Sequence, residues 1–158
     1  MNPNDLAQIL NYVRTPDGLG SAGQPTTAQF HAIAEAGYRV VVNLAMPDSD
    51  NAQPDEGAQV TRWGMDYVHL PVAWRNPTLE WFRRFCDILN LYQDTAIFVH
   101  CAMNMRASAF VFLYRVVEYH VPIAVAEPAM HAVWHPDRVW SAFIHRILES
   151  GSQDVDPL

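Results

Sequence analysis

The fold is decided by one continuous stretch in the second half of the chain, Ala96-Ile97-Phe98-Val99-His100-Cys101-Ala102-Met103-Asn104-Met105-Arg106-Ala107-Ser108. Its first five residues form a nearly continuous apolar run, which is typical of a strand buried on both faces. From about Met105 to Tyr119 the chain is apolar on almost every side, which predicts a helix at the centre of the domain. A buried strand that leads directly into a buried helix indicates an α/β fold.

The flanking sequence repeats this alternation of strands and helices. Buried strands are predicted over 39–44 and 67–72, a short hairpin around 15–20, and helices over about 26–37, 54–63, 78–92 and 136–149. Asn76-Pro77 is expected to cap and open the helix over 78–92. The predicted fold class is therefore α/β, with a central, mainly parallel sheet flanked by helices. Sites in such sheets lie at the carboxyl ends of the strands, where loops follow Leu44 and Val72 and a third begins at Cys101.

Length and composition predict one folded domain. The chain has 158 residues, half of them hydrophobic, which is enough to bury a core. We treat 1–158 as one domain, with residues 149–158 expected to form a frayed acidic tail. The net charge of −7 argues against a nucleic-acid partner, which would need a basic face. All ten basic residues are arginines, which excludes lysine Schiff-base chemistry and the lysine-dependent nucleotide loop.

The sequence also bounds the compartment and the cofactors. The first residues are polar and acidic, and no stretch approaches the roughly 20 apolar residues of a membrane span, so no membrane partner is expected. Two cysteines do not make a disulfide framework, and we expect a cytoplasmic protein. His131 and His135 are four residues apart but lack a third ligand at a known spacing. No metal and no cofactor is therefore expected.

The chemistry of the quoted stretch centres on Cys101 and Arg106. A thiol at a helix N-terminus is favoured as a thiolate by the helix dipole and by unpaired amides. Backbone N–H groups at such a turn can form a concave nest for a tetrahedral anion, and an arginine in the same turn can hold two anion oxygens. A hydroxyl at Ser108 could donate to the sulfur. The expected anion-binding residues beside Cys101 and Arg106 are Ala102, Met103, Asn104, Met105 and Ser108, with Asn104 suited to a positive φ.

These residues resemble a known signature. His100-Cys101, followed by Arg106 and Ser108, resembles the signature of the protein tyrosine and dual-specificity phosphatases, and 21–26 with 103–108 resemble a bacterial tyrosine-phosphatase-like family. The resemblance runs from about residue 11 to 143 and implies a three-layer phosphatase-like domain. It further implies a phosphate monoester as substrate and a cysteinyl-phosphate intermediate, with Cys101 as nucleophile, Arg106 holding the phosphate, and no metal.

Two departures from that signature stand out. Four residues separate Cys101 from Arg106 where the signature has five, and Ala107 stands in the usual place of the arginine. The loop after the second predicted strand normally carries an aspartate as general acid, but Ala73-Trp74-Arg75-Asn76-Pro77 contains none. Loss of a general acid lowers rates by about 10²–10⁴-fold. The acids that could replace it follow the first buried strand, and they are Asp48, Asp50, Asp55 and Glu56.

Two other functions remain open at this point. Rhodanese-like sulfurtransferases use a six-residue loop headed by cysteine, and Cys101 to Arg106 is six residues, so a persulfide on Cys101 is one alternative. A catalytically silent anion-binding domain is the other, because the usual acid is missing. We also expect Cys86 to be packed on the apolar face of its helix. Four tryptophans are expected to belong to the core, and they are Trp74, Trp81, Trp134 and Trp140.

Overall fold

The computed structural model describes residues 3–153. A 3₁₀ helix, Pro3–Gln8, opens this part of the chain. The strands are β1 (Val13–Arg14), β2 (Leu19–Ala22), β3 (Tyr38–Asn43), β4 (Asp66–His69) and β5 (Ala96–His100). The α-helices are α1 (Thr27–Glu35), α2 (Glu56–Arg62), α3 (Leu79–Leu91), α4 (Met105–Val117), α5 (Ile123–His131) and α6 (Arg138–Gln153).

The five strands form one sheet in the order β1-β2-β5-β3-β4. All neighbouring pairs are parallel except the hairpin of β1 and β2, so the mainly parallel sheet is confirmed. β5 lies at the centre, between β2 and β3. The predicted burial of the strand over 67–72 is wrong: β4 is shorter and pairs only with β3, at the edge of the sheet, where its residues are half-buried or exposed.

Helices cover both faces of the sheet, which gives the three-layer arrangement. One core contains apolar residues of α3, α4 and α6, and the other packs α1 and α2 against the opposite face. Helix α4 is buried along almost its whole length, with Phe110, Leu113 and Tyr114 wholly inaccessible. This confirms the predicted central helix. The chain therefore runs from the most enclosed strand, β5, straight into the most enclosed helix.

Local sequence signals account for most helix ends. Thr26 caps α1 through a reciprocal pair with Gln29, and Gly37 follows at φ 99°, which agrees with the helix predicted over about 26–37. Helix α3 starts later than predicted, because Thr78 and not Asn76 is its cap and accepts a hydrogen bond from Trp81 N. Helix α5 was not predicted from the sequence.

Two observations concern the C-terminal segment and membranes. Helix α6 continues to Gln153, into the segment 149–158 that the sequence predicts as a frayed tail, and 154–158 lie outside the described residues. Across residues 3–153, no helix combines the length and the apolar character that crossing a membrane requires.

Candidate active site

Cys101 lies at the carboxyl end of the central strand. It follows β5 directly, is 1% exposed, and its N–H donates to the carbonyl of Ala22 at 3.2 Å. Asn104 then adopts the left-handed conformation, with φ 69°, and α4 begins at Met105. The predicted positive φ at Asn104 is therefore confirmed. The N–H groups of Met105 and Arg106 lie in the first turn of α4, where no intrahelical carbonyl can accept from them.

The outer side of this loop is held by three distant segments. The carbonyl of Ala102 accepts from Gln24 N and from Asn51 Nδ2, both at 3.1 Å. Asn11 Nδ2 donates to the carbonyl of Met103 at 3.1 Å, and Asn104 Nδ2 donates back to the carbonyl of Asn11 at 2.6 Å. A trans peptide places N–H and C=O on opposite sides, so the outward carbonyl of Ala102 directs the next amide to the inner side of the loop. This is the arrangement that an anion nest needs.

Arg106 shares a pocket with Cys101. Arg106 is 7% exposed, and its Nη1 donates to the carbonyl of Val72 at 2.8 Å. Its Cζ lies 5.9 Å from the ring centroid of Trp74. The pocket is lined by Trp74, Cys101, Ala102, Met103, Met105 and Arg106. The four-residue spacing therefore brings the thiol and the guanidinium to the same cavity.

The hydroxyl of Ser108 does not contact the sulfur in this structure. It donates to the carbonyl of Met105 at 3.0 Å and accepts from Trp134 Nε1 at 3.1 Å. Its proton is thus committed to the first turn of α4. Ser108 therefore links the first turn of α4 to Trp134. The hydrogen bond to Cys101 that the sequence suggested is not formed.

Glu56 is placed differently from the expected general acid. It is 6% exposed; Oε2 lies 2.7 Å from His100 Nε2, and Oε1 accepts from Gln24 Nε2 at 2.6 Å. Burial by itself raises the pKa of this carboxyl, but the hydrogen bonds and the charge interaction, with His100 foremost, hold the pKa below its usual range. A buried carboxylate with both oxygens bonded has no proton to give to a leaving group. The expectation for Glu56 as an acid is therefore corrected: it is a structural partner of His100.

The other three acids lie on an exposed segment beside the loop. Asp48, Asp50 and Asp55 are exposed, and Asp55 precedes α2 with φ 55°. Asn51, which is bonded to Ala102, ties this segment to the Cys101 loop. The segment 73–77 contributes no acid.

The sequence missed the role of Trp74. It was predicted as core, but 36% of it is exposed and it lines the pocket. Its ring lies 5.4 Å from that of Trp134 and 5.8 Å from that of Trp140, and Trp140 Nε1 donates to its carbonyl at 2.8 Å. Trp140 is fully buried as predicted. The sequence did carry a signal for this placement. Trp74 follows β4, so it lies at the carboxyl ends of the strands, as Cys101 does.

Cys86 and the paired histidines lie outside the pocket. Cys86 is buried in α3, as predicted, and burial raises the pKa of its thiol. The rings of His131 and His135 are 4.5 Å apart. Across the described residues, no three His, Cys, Asp or Glu side chains come together as a possible metal site.

A parallel α/β sheet whose central strand ends in a buried cysteine, followed by an arginine in the first turn of a buried helix, defines the tyrosine and dual-specificity phosphatase class of fold. The chain belongs to the family described as DSP-PTPase phosphatase fused to NAD⁺ kinase, whose model matches residues 19–135. This confirms the resemblance seen in the sequence.

Similar proteins agree with this assignment. A candidate phosphatase of the DUF442 family from Shewanella putrefaciens CN-32 is 33% identical, with a TM-score of 0.85 over 94% of this chain and 98% of that one. PTPMT1 in complex with PI(5)P shares the fold, with a TM-score of 0.77 at 13% identity over 92% of this chain and 99% of that one. A beta-lactamase hydrolase-like protein from Xylella fastidiosa (strain Temecula1) is 28% identical over 72% of this chain. The match covers 27% of that relative's length, so this chain corresponds to about a quarter of it.

Proposed function

We propose that the chain is a cysteine-dependent phosphatase that hydrolyses a phosphate monoester through a cysteinyl-phosphate intermediate. Cys101 is the nucleophile, and Arg106 with the amides of the loop holds the phosphate. The observation that carries this proposal is the shared pocket, which is lined by Cys101 at the end of β5 and by Met105 and Arg106 in the first turn of α4.

The reaction follows from these positions. Cys101, which directly precedes the free amides at the start of α4, attacks as the thiolate. Its sulfur forms a bond to phosphorus while the bond from phosphorus to the ester oxygen breaks, and the leaving oxygen takes a proton. Water then attacks the phosphorus and releases inorganic phosphate and the thiolate. Arg106 and the amides are aimed at the equatorial oxygens, where charge is stabilised in the transition state.

Among the roles that this reaction needs, the donor of the leaving-group proton is the one without an evident residue in the pocket. Loop 73–77 has no acid and Glu56 is committed to His100, which leaves Asp48, Asp50 and Asp55 on the exposed segment near Asn51. We assign the proton donor to this group of three. Their exposure implies modest assistance, so esters with good leaving groups should be turned over best.

Chemical trapping of the intermediate tests the proposal. Rapid acid quench during turnover of an aryl phosphate, followed by mass spectrometry, should find phosphate on the peptide that contains Cys101. Cys101→Ser should abolish turnover but still bind phosphate or vanadate, because the amides and Arg106 remain. Cys86→Ser is the matched control and should keep the activity, since Cys86 lies in α3. Full activity of Cys101→Ser would rule out covalent catalysis.

The absent acid in loop 73–77 supports a second candidate, a sulfurtransferase. Attack of the Cys101 thiolate on the outer sulfur of thiosulfate forms an S–S bond, breaks the sulfur–sulfur bond of the donor and releases sulfite, with no alkoxide to protonate. The persulfide then passes its outer sulfur to cyanide or a thiol. A gain of one sulfur on Cys101 with transfer to cyanide, and no ester hydrolysis, would favour this candidate over the phosphatase.

A further inference from the structure

Trp74 stands where the phosphatase signature leads one to expect an acid. It follows β4 and lines the pocket together with Cys101 and Arg106. The pocket lining also includes Met103, which is 43% exposed, and Met105. Beyond Cys101 and Arg106, the side chains that line the pocket are therefore an indole, two thioethers and the methyl group of Ala102.

The indole of Trp74 is held in place before any ligand enters. Its ring packs against those of Trp134 and Trp140, and its carbonyl accepts from Trp140 Nε1. The segment just before Trp74 is fixed as well, because Val72 O accepts from Arg106. A rigid apolar surface adds to affinity with little loss of side-chain entropy on binding.

The carbonyl groups around the pocket are already bonded within the chain. Ala102 O accepts from Gln24 and Asn51. Met103 O accepts from Asn11, Met105 O from Ser108, and Trp74 O from Trp140. A hydroxyl placed beside the phosphate would lose water and find few free acceptors, which disfavours binding. A flat apolar group loses nothing there and packs against the indole.

We propose that Trp74 determines the specificity of the site, so that it selects phosphate monoesters whose organic group next to the phosphate is flat and apolar over those in which it is hydroxylated. This inference rests on the proposed phosphatase function of the same pocket. The leaving group favours the same choice on separate grounds, since an aryl oxide departs with less help from an acid than an alkoxide does.

The test measures binding without turnover, as protection of Cys101 from alkylation by iodoacetamide, followed on its own peptide by mass spectrometry. Three phosphonates are compared: methylphosphonate, phenylphosphonate and 2-hydroxyethylphosphonate. Phenylphosphonate should protect at about tenfold lower concentration than methylphosphonate, the factor expected when roughly 60 Å² of apolar surface is buried. The hydroxyethyl compound should be no better than the methyl compound.

Replacing Trp74 should remove the preference for phenylphosphonate over methylphosphonate. In Trp74→Ala the advantage of phenyl over methyl should fall to about twofold or less, and Trp74→Phe should retain an intermediate advantage. The ratio cancels any loss of anion affinity caused by the contact between Trp74 and Arg106. If Trp74→Ala fails to fold, Met103→Ser, which changes another residue of the pocket lining, should also reduce the ratio. Trp63→Ala is the matched control, because Trp63 is similarly exposed but stacks on His31.

The outcomes distinguish the specificity role of Trp74 from the anion site itself. If methylphosphonate and phenylphosphonate protect equally in the unaltered protein, or if Trp74→Ala keeps the tenfold ratio, the specificity role of Trp74 is wrong while the anion site stands. If neither phosphate nor any phosphonate protects Cys101, the anion site itself fails, and the proposed phosphatase function fails with it.

Discussion

Arg106 and Val72 are joined by a hydrogen bond of 2.8 Å from the guanidinium Nη1 to the main-chain carbonyl. The bond fixes the arginine of the Cys101 loop to the segment that follows β4. It uses one N–H of the five that a guanidinium carries, so the others remain available for an anion. The orientation of Arg106 is thus set by the protein before substrate binds.

Replacing this guanidinium by an amine should be costly. In Arg106→Lys we expect kcat/KM to fall by about 10²-fold or more, because an ammonium cannot reach Val72 O and hold two phosphate oxygens together. Steady-state kinetics on an aryl phosphate, with vanadate inhibition, measures this. Arg75→Lys is the matched control, since Arg75 is exposed on the next segment, and it should stay within about twofold of the unaltered protein. Equal loss in both variants would contradict the assignment to Arg106.

The contribution of the three exposed acids to activity should depend on the leaving group of the substrate. Asp48→Asn, Asp50→Asn and Asp55→Asn are compared one at a time on an activated aryl phosphate and on a phosphate ester with a poor leaving group. The variant that removes the proton donor should lose about tenfold on the poor leaving group and little on the activated one. Asp87→Asn on α3 is the control. No difference among the four variants would remove the acid role from this segment.

Glu56 should matter for stability and not for proton transfer. Glu56→Ala leaves His100 buried without its partner and should lower the free energy of unfolding by about 3–5 kcal/mol, measured by urea denaturation. Glu56→Gln keeps the shape and should cost less. An activity loss confined to poor leaving groups in Glu56→Gln, with stability unchanged, would instead restore its role as an acid.

The same carboxyl gives a pH dependence whose sign follows from its pKa. The folded pKa of Glu56 lies below its ordinary value, so the unfolded state takes up the proton first as the pH falls. Ionised Glu56 therefore stabilises the fold above the unfolded pKa, and this contribution is lost as the pH falls through the folded pKa. As the pH falls from about 5 through the unfolded and then the folded pKa of this carboxyl, the unaltered protein should lose more unfolding free energy than Glu56→Gln. An equal loss in both proteins would show that this carboxyl does not contribute.

The left-handed residue in the loop supplies a further test. Asn104 has φ 69° and donates to Asn11 O. Asn104→Gly keeps the backbone conformation and loses only the side-chain bond, whereas Asn104→Ala also adds about 1–2 kcal/mol of strain. We therefore expect the affinity for phosphate to fall in the order Asn104, Gly, Ala, measured by protection of Cys101 from alkylation. An alanine variant that binds phosphate better than the glycine variant would contradict this account.

The sequence predicted those parts of the fold that depend on local signals. The apolar runs of β3 and β5, the helix over about 26–37 and the all-round apolar α4 are determined by neighbouring residues. Helix α5 was missed because Pro122 precedes it and Pro128 lies inside it, and prolines are normally read as breaks. The burial of β4 was wrong because pattern alone does not say which strand lies at the edge.

The site was predictable only where a residue's role depends on its own position in the chain. The positions of Cys101, Arg106 and Asn104 were predictable because they follow a strand and open a helix. The burial of Glu56 could not be predicted, because its partner His100 lies 44 residues away and nothing local distinguishes this carboxylate from that of Asp55. Trp74 was predicted to lie in the core because large aromatic residues are mostly buried. Its position after a strand nevertheless places it at the carboxyl ends of the strands, where the site lies.

The hydrogen bonds that hold the outside of the Cys101 loop connect residues far apart in the chain: 92 residues separate Asn11 from Met103, and 51 separate Asn51 from Ala102. Contacts of this kind close long loops and form late in folding, after the local helices. Both side-chain amides also donate at the surface, where local opening is easiest. On heating, the loop should therefore lose its grip on an anion at a temperature where α4 and the sheet are still intact.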